Sequence, residues 1–419
     1  MTLRVLISTG EVSGDIVGAR LAAEIRAKSP EATLYGIGGP RMAAAGVDVN
    51  VQTNHLGTVG ISEAFATATP LYRAFRKLAK RVAVEKPDVA VLIGNDVFNV
   101  LLARWLKRRG VKTVSYFPPQ VWIWRSLARP IVRSFDALLT CFPEEQVVYR
   151  RAGGAASFVG HYLGDALSAA TPQERSEARR TLGQSDAVRL VGLLPGSRTH
   201  EVAKLAPVLL AAAREIARRD PAVRFALPVA EPSFRSALED EVRRVGLEAF
   251  VTLGEGSHTV MRAADLVLLA SGTASLEAAL LRVPMVILYR VSLLTIGVVR
   301  ACIALRLIDS DTVGLPNLVL GRRAVPELIQ KKVNAHELAE AAWEVLSSPA
   351  RQEEMKKDLD EVARRIRSGG SVARAAEAVL ALAEAPWPRT VDGLDVSLPE
   401  GAVSAERSGL GHAHARDDR

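Results

Sequence analysis

A chain of 419 residues, 48% hydrophobic and 24% charged, is too long for one hydrophobic core and too apolar to be disordered, so two domains of about 150 to 200 residues are expected. Two distant cysteines, Cys141 and Cys302, and an opening Met1-Thr2-Leu3-Arg4 that runs straight into strand-like residues argue against a disulfide framework, a zinc cluster and a secretory signal; reducing cytoplasm is the expected compartment. The formal charge of +8 is concentrated, because residues 70–135 carry 14 Lys/Arg against 3 Asp/Glu, a local +11 beside about −3 elsewhere.

In chain order, Leu3-Arg4-Val5-Leu6-Ile7 is a short apolar run closed by Gly10, and Leu21, Ala22 and Ile25 follow with helical spacing. This predicts a strand, a turn and a helix. Over residues 70–84, Leu71, Phe75, Leu78 and Val82 recur at three- and four-residue spacing, with Arg73, Arg76, Lys77, Lys80 and Arg81 on the remaining surface. That is an amphipathic helix, facing either solvent or an anionic partner. Nucleic acid is the weakest such partner, since no zinc finger, RRM-type aromatic signature or separate basic tail is found. Short buried-strand runs recur at residues 88–93, 112–116, 137–141 and 157–159. The alternation predicts a doubly wound parallel sheet.

Ala170-Thr171-Pro172 and a polar helix over 173–182 break the pattern, which restarts at 188–194, 223–227, 250–253, 266–270 and 285–288. The expected fold is α/β, with two tandem Rossmann-like domains at residues 1–168 and 169–385. Ala-rich helices over 335–384 close it as a C-terminal helical return across the first domain, and residues 386–419 are expected to be a disordered tail. Residues 291–308 are the most apolar segment, but Arg300 and Arg306 interrupt them. They suit a helix in a membrane interface or a core helix with snorkelling arginines, and no transmembrane span is expected.

Three strand-to-helix turns carry small residues at positions where open α/β sheets bind ligands. The first is Gly10-Glu11-Val12-Ser13-Gly14-Asp15, where backbone can approach a ligand and helix N–H groups favour an anion. In the second, Leu194-Pro195-Gly196-Ser197-Arg198, the arginine suits charge-assisted bonds to phosphate. The third, Ser271-Gly272-Thr273-Ala274-Ser275-Leu276-Glu277, offers a helix start for a pyrophosphate and, further along, a carboxylate for a ribose diol. Asp309-Ser310-Asp311 looks like a metal-holding pair but lies too late in the second domain, and His412 and His414 fall in the tail; no metal is expected.

These turns belong to a wider pattern. With Gly38-Gly39-Pro40-Arg41-Met42, Gly60, Glu63, Pro119-Gln120-Val121-Trp122-Ile123-Trp124-Arg125, Gly160-His161, Asp165, Tyr289-Arg290 and Leu315-Pro316-Asn317, the chain resembles the lipid-A-disaccharide synthase family of GT-B-type glycosyltransferases from about Leu3 to Leu382. The resemblance implies transfer of 2,3-diacylglucosamine from UDP to the 6-hydroxyl of 2,3-diacylglucosamine 1-phosphate, with inversion and without a cofactor or metal. It implies UDP on the second domain near Arg198, Ser271, Gly272, Thr273, Glu277, Arg290 and Asn317, and the acceptor near Ser13, Gly14, Glu63, Asn99 and Trp122. It also implies a homodimer attached peripherally to the inner face of the cytoplasmic membrane, which suits the basic first domain.

One departure bears on the chemistry. The family usually reads Ile-Asp-x-Pro-Asp-Phe-Asn and relies on its first Asp, whereas this chain reads Ile93-Gly94-Asn95-Asp96-Val97-Phe98-Asn99. If the backbone stays extended, Asp96 shares a face with Gly94 and is the expected general base, with Glu11 as its back-up or orienting partner. The loss at Gly94 also keeps open a divergent paralogue acting on another lipid-linked sugar, and a non-catalytic UDP-sugar-binding protein.

Overall fold

The computed structural model describes residues 2–52, 61–94, 96–121, 127–290 and 312–386. Near-continuous apolar runs such as Val89–Ile93 and Leu190–Leu194 are what strands covered on both faces require, and they build two parallel sheets. The first contains β1 (Arg4–Thr9), β2 (Thr33–Gly38), β3 (Asp48–Gln52), β4 (Val89–Ile93), β5 (Lys112–Tyr116), β6 (Ala137–Thr140) and β7 (Ala156–Phe158), in the order β3-β2-β1-β4-β5-β6-β7. The second contains β8 (Leu190–Leu194), β9 (Arg224–Val229), β10 (Val251–Glu255), β11 (Leu266–Ala270), β12 (Met285–Tyr289) and β13 (Glu327–Ile329), in the order β10-β9-β8-β11-β12-β13. These are the two tandem Rossmann-like units that the alternation predicts, with β2, β3 and β13 added.

Period-two alternation assigns each strand side chain to a layer. Leu6 of β1 packs with Leu78, Val82 and Leu102, whereas Val5 and Ile7 pack with Leu21 and Ile25 of the helix Val12–Lys28. The predicted amphipathic helix is therefore real: within Ile61–Val84, Leu78 and Val82 are buried while Arg73, Arg76, Lys77 and Lys80 are exposed.

In each sheet the winding reverses once, between β1 and β4 and between β8 and β11. Ligands bind open α/β sheets outside the carboxyl ends of the strands at such a switch point. The turns at Gly10, Gly94, Pro195 and Ser271 end these four strands, so topology brings the motifs to two ligand-binding edges.

The return also matches its expectation. The helix Pro349–Ile366 leaves the second sheet, and the helix Ser371–Glu384 lies against Val12–Lys28, where Lys28 pairs with Glu377 at 2.8 Å and Lys112 Nζ donates to the Ala383 carbonyl at 2.6 Å. At the crossing, the His161 N–H donates to the Ile366 carbonyl at 3.1 Å and the Ser371 N–H to Asp165 Oδ2 at 2.6 Å. No helix among the described residues is long and apolar enough to cross a membrane. Residues 291–308, Trp122, Asp309, Asp311, His412 and His414 lie outside the described residues, as do nearly all of 386–419.

Candidate active site

The end of β1 is built for close approach. A Cβ on Gly14 would lie 1.8 Å from Thr9 Oγ1, so the helix Val12–Lys28 starts directly over the strand only because residue 14 is glycine. Asp15, buried, accepts from the backbone N–H groups of Gly39, Arg41 and Met42 at 2.8 to 3.0 Å. That ties the Glu11 turn to the Gly38-Gly39-Pro40-Arg41-Met42 turn and leaves Asp15 no part in ligand chemistry. Glu11 is half-buried, and Ser13 Oγ donates to its Oε2 at 3.4 Å.

Glu11, Ser13 and Gly14 line a cavity of about 210 Å³ together with Gly94 and His161; Thr273 and Leu315 contribute to it from the second half of the chain. Small residues at the ends of β1 and β11 thus meet in one space. Glu11 is the carboxylate on its wall.

At the end of β4, Gly94 adopts φ 55°, in the left-handed region, and a Cβ there would meet nothing within 4 Å. Asp96 then opens the helix Asp96–Lys107. The extended run that was to carry Asp96 onto the same face as Gly94 is therefore not formed, because the turn at Gly94 and the helix start replace it. Asn99 is buried and fully engaged: Ser8 Oγ donates to its Oδ1 at 3.1 Å, and its Nδ2 donates to the carbonyls of Ile93 at 3.2 Å and Gly94 at 2.5 Å. It shapes the Gly94 turn from beneath. Glu63 belongs to the helix Ile61–Val84.

On the second sheet, Gly272 caps the helix Thr273–Leu280, and Ser275 Oγ donates to the Gly272 carbonyl at 2.8 Å. Ser271 Oγ donates to the Val313 carbonyl at 3.4 Å, which links this turn to the loop that carries Leu315. Glu277, one turn beyond Thr273, has its Oε2 3.1 Å from His258 Nε2. Arg198 Nη1 donates to Glu201 Oε1 at 3.1 Å, while Glu201 Oε2 accepts from the N–H groups of Ser197 and Arg198 at 3.3 Å. Arg290 is exposed just after β12. Neither arginine is among the residues that line the cavity.

Asn317 is buried with both ends of its amide in use. Its Nδ2 donates to the Val325 carbonyl at 2.9 Å and to Glu327 Oε1 at 2.6 Å, and its Oδ1 accepts from the N–H groups of Ala324 at 2.7 Å and Val325 at 3.0 Å. Glu327 also accepts from the N–H groups of Val313 and Gly314 at 3.0 and 2.9 Å. Together they hold the loop before Leu315. Sequence reasoning passed over Glu327 and His258, because a carboxylate on a three-residue strand and a lone histidine on a short helix carry no motif.

His161 joins the two halves. It caps the helix Tyr162–Ala166, its Nδ1 accepting the Leu163 N–H at 3.2 Å, and burial pushes its pKa down to about 3. Phe117 meets the ring edge-on at 5.0 Å and Tyr162 stacks on it at 5.1 Å. Among the described residues, no group of three His, Cys, Asp or Glu side chains is arranged to hold a metal ion.

Two Rossmann-like parallel sheets, with a cavity where strand ends of both meet, make up the GT-B architecture. The same fold is seen in UDP-GlcNAc 2-epimerase from Neisseria meningitidis bound to UDP-GlcNAc (TM-score 0.60, 13% identity, 91% of this chain and 100% of that one). It is also seen in the glycotransferase of kitacinnamycin (TM-score 0.59, 14% identity, 91% and 99%). The profile of the family described as lipid-A-disaccharide synthetase matches residues 5–382. Lipid-A-disaccharide synthases from Geobacter metallireducens and Myxococcus xanthus are 39% and 36% identical to it, over 90% of this chain and 96% and 97% of theirs. The chain belongs to the lipid-A-disaccharide synthetase family and is a glycosyltransferase of lipid A biosynthesis.

Proposed function

We propose that the chain moves 2,3-diacylglucosamine from UDP to the 6-hydroxyl of 2,3-diacylglucosamine 1-phosphate, giving a β-1,6-linked disaccharide and UDP. The observation that carries this reading is the shared cavity, lined by Glu11 from the end of β1 and by Thr273 from the end of β11. UDP lies on the second sheet. The N–H groups at Gly272 and Thr273 receive the diphosphate, with Ser271 shaping that turn and Arg198 and Arg290 adding positive charge nearby. Glu277 accepts from the ribose hydroxyls while His258 holds its other oxygen, and Asn317 with Glu327 fixes the adjoining loop.

The acceptor lies against Ser13, Gly14, Glu63 and Trp122. Glu11 removes the proton from its attacking hydroxyl as the bond from the anomeric carbon to phosphate breaks on the opposite face. Asn99 supports the Gly94 turn and so keeps this wall open.

A membrane-borne acceptor suits the surface beside the site. Val97 and Leu101 are 76% and 58% exposed on the helix that follows Gly94, and Tyr72 is 61% exposed among Arg73, Arg76 and Lys80. Exposed apolar side chains on helices that also carry cations favour an anionic bilayer. The enzyme works on the inner face of the cytoplasmic membrane, as a peripheral protein and a homodimer. Open space at Gly94 favours one rival reading, a paralogue with another lipid-linked acceptor.

The test supplies UDP-2,3-diacylglucosamine and 2,3-diacylglucosamine 1-phosphate in vesicles containing anionic lipid and weighs the products by mass spectrometry. Disaccharide 1-phosphate and UDP are expected, at a rate that falls as salt screens the basic surface. UDP binding without product from this acceptor would refute the assignment; product from a different lipid-linked sugar would identify the paralogue, and none from any would identify a binding protein.

A further inference from the structure

We propose that His161 is a further catalytic residue of the transfer, donating a hydrogen bond from Nε2–H to the departing diphosphate. The inference rests on the reading that the UDP-sugar occupies the cavity. Because Nδ1 accepts the Leu163 N–H, the neutral ring must carry its proton on Nε2, a tautomer assigned from that hydrogen bond. Capping the helix Tyr162–Ala166 needs only one acceptor, which Asn, Asp, Ser or Thr would supply equally well. Histidine adds a second ring nitrogen on a residue that lines the cavity, and no described residue accepts a hydrogen bond from it.

Its setting indicates which part of the substrate it meets. His161 lines the same space as Thr273, at the start of the helix that receives the diphosphate, and the helix Tyr162–Ala166 packs against that helix. Phe117 and Tyr162 fix the ring, and Phe142 lies 5.6 Å from it. The donor is therefore in place before the reaction. Burial keeps the imidazole neutral at physiological pH, so it is a standing donor and does not compete with Glu11 for the acceptor's proton.

During transfer the acceptor oxygen bonds to the anomeric carbon, the bond from that carbon to the diphosphate oxygen breaks, and its electron pair leaves with UDP. The acceptor's proton goes to Glu11. Negative charge grows on the leaving oxygen, where a fixed N–H donor is stronger in the transition state than in the ground state.

Two variants of the full chain separate this role from capping. In His161→Asn the amide oxygen still accepts the Leu163 N–H while the second donor is lost. Its melting temperature should fall only by the ring packing lost against Phe117, Phe142 and Tyr162, its kcat should fall about 100-fold, and its KM should change little. In His161→Gln the longer side chain returns an N–H to the neighbourhood of Nε2 and loses the cap. It should melt lower yet recover turnover to within about tenfold of the parent. Parental turnover by His161→Asn, or turnover that tracks melting temperature across the pair, would overturn the proposal. Calorimetry of the parent with UDP isolates the underlying reading, since a parent that fails to bind UDP removes the donor site itself, whereas a binding parent with an unaffected His161→Asn removes only the role of His161.

Discussion

Glu11→Gln is expected to lower kcat by about 10³-fold, within the usual range for loss of a general base, while UDP binds with parental affinity. The substitution is nearly isosteric, and the amide can still accept from Ser13 Oγ, so the turn over β1 should keep its shape. What disappears is the carboxylate in the lining of the cavity that Thr273 also reaches. If Asp96 supplies the base instead, Asp96→Asn takes the loss and Glu11→Gln is spared. Steady-state kinetics on the two variants with purified acceptor, beside calorimetry with UDP, decides between them.

The second large effect is on stability. Arg179 is 1% exposed, and Asp265 is the carboxylate that answers its charge, Arg179 Nη2 donating to Oδ2 at 2.9 Å. The remaining donors of Arg179 go to the carbonyls of Ala263, Ser185, Asp186 and Val188. Asp265 also accepts from Arg175 Nη2 at 2.6 Å and from the Leu190 N–H at 2.8 Å. Because Leu190 begins β8 and Asp265 directly precedes β11, this one carboxylate registers the two strands that flank the second switch point.

Asp265→Ala leaves a buried guanidinium uncompensated and should cost about 3 to 5 kcal/mol. Arg179→Met leaves Asp265 paired with Arg175 but strips the carbonyls of Ala263, Ser185, Asp186 and Val188 of their donor, and should cost a comparable amount. Urea unfolding measures both, and an Asp265→Ala loss below about 1 kcal/mol would show that the network adds little.

How much of this was legible in the sequence depended on what kind of signal each element carries. β4, β8 and β11, and β1 through Val5-Leu6-Ile7, announce themselves because strands buried on both faces are rich in apolar residues. β2 hides behind Gly36 and Gly38, β3 reads as alternating polar and apolar residues at a sheet edge, and β13 is only three residues long. The Glu11 and Ser271 turns were legible as small residues between a strand and a helix. Their meeting was not, because the contact between Glu11's wall and Thr273 spans more than half the chain and depends on how the sheets face each other.

Side-chain employment was equally hidden. Asn317 and Asn99 look like ligand contacts in the motifs, yet each spends its amide on backbone or neighbouring side chains that shape the site. The extended backbone expected through Asp96 is a turn and a helix start instead, because a positive φ at Gly94 leaves no trace in hydrophobic periodicity. His161 stands in the sequence only as part of the Gly160-His161 motif; it caps a helix, and its second nitrogen gains meaning only from the cavity beside it.

The most direct test of the central claim is a crystal structure of the full chain with UDP. The diphosphate should accept hydrogen bonds from the N–H groups at Gly272 and Thr273, the ribose should reach Glu277, and the space between the phosphate and Glu11 should be left for the sugars. UDP seated away from the end of β11, or Glu11 walled off from the bound diphosphate, would contradict it.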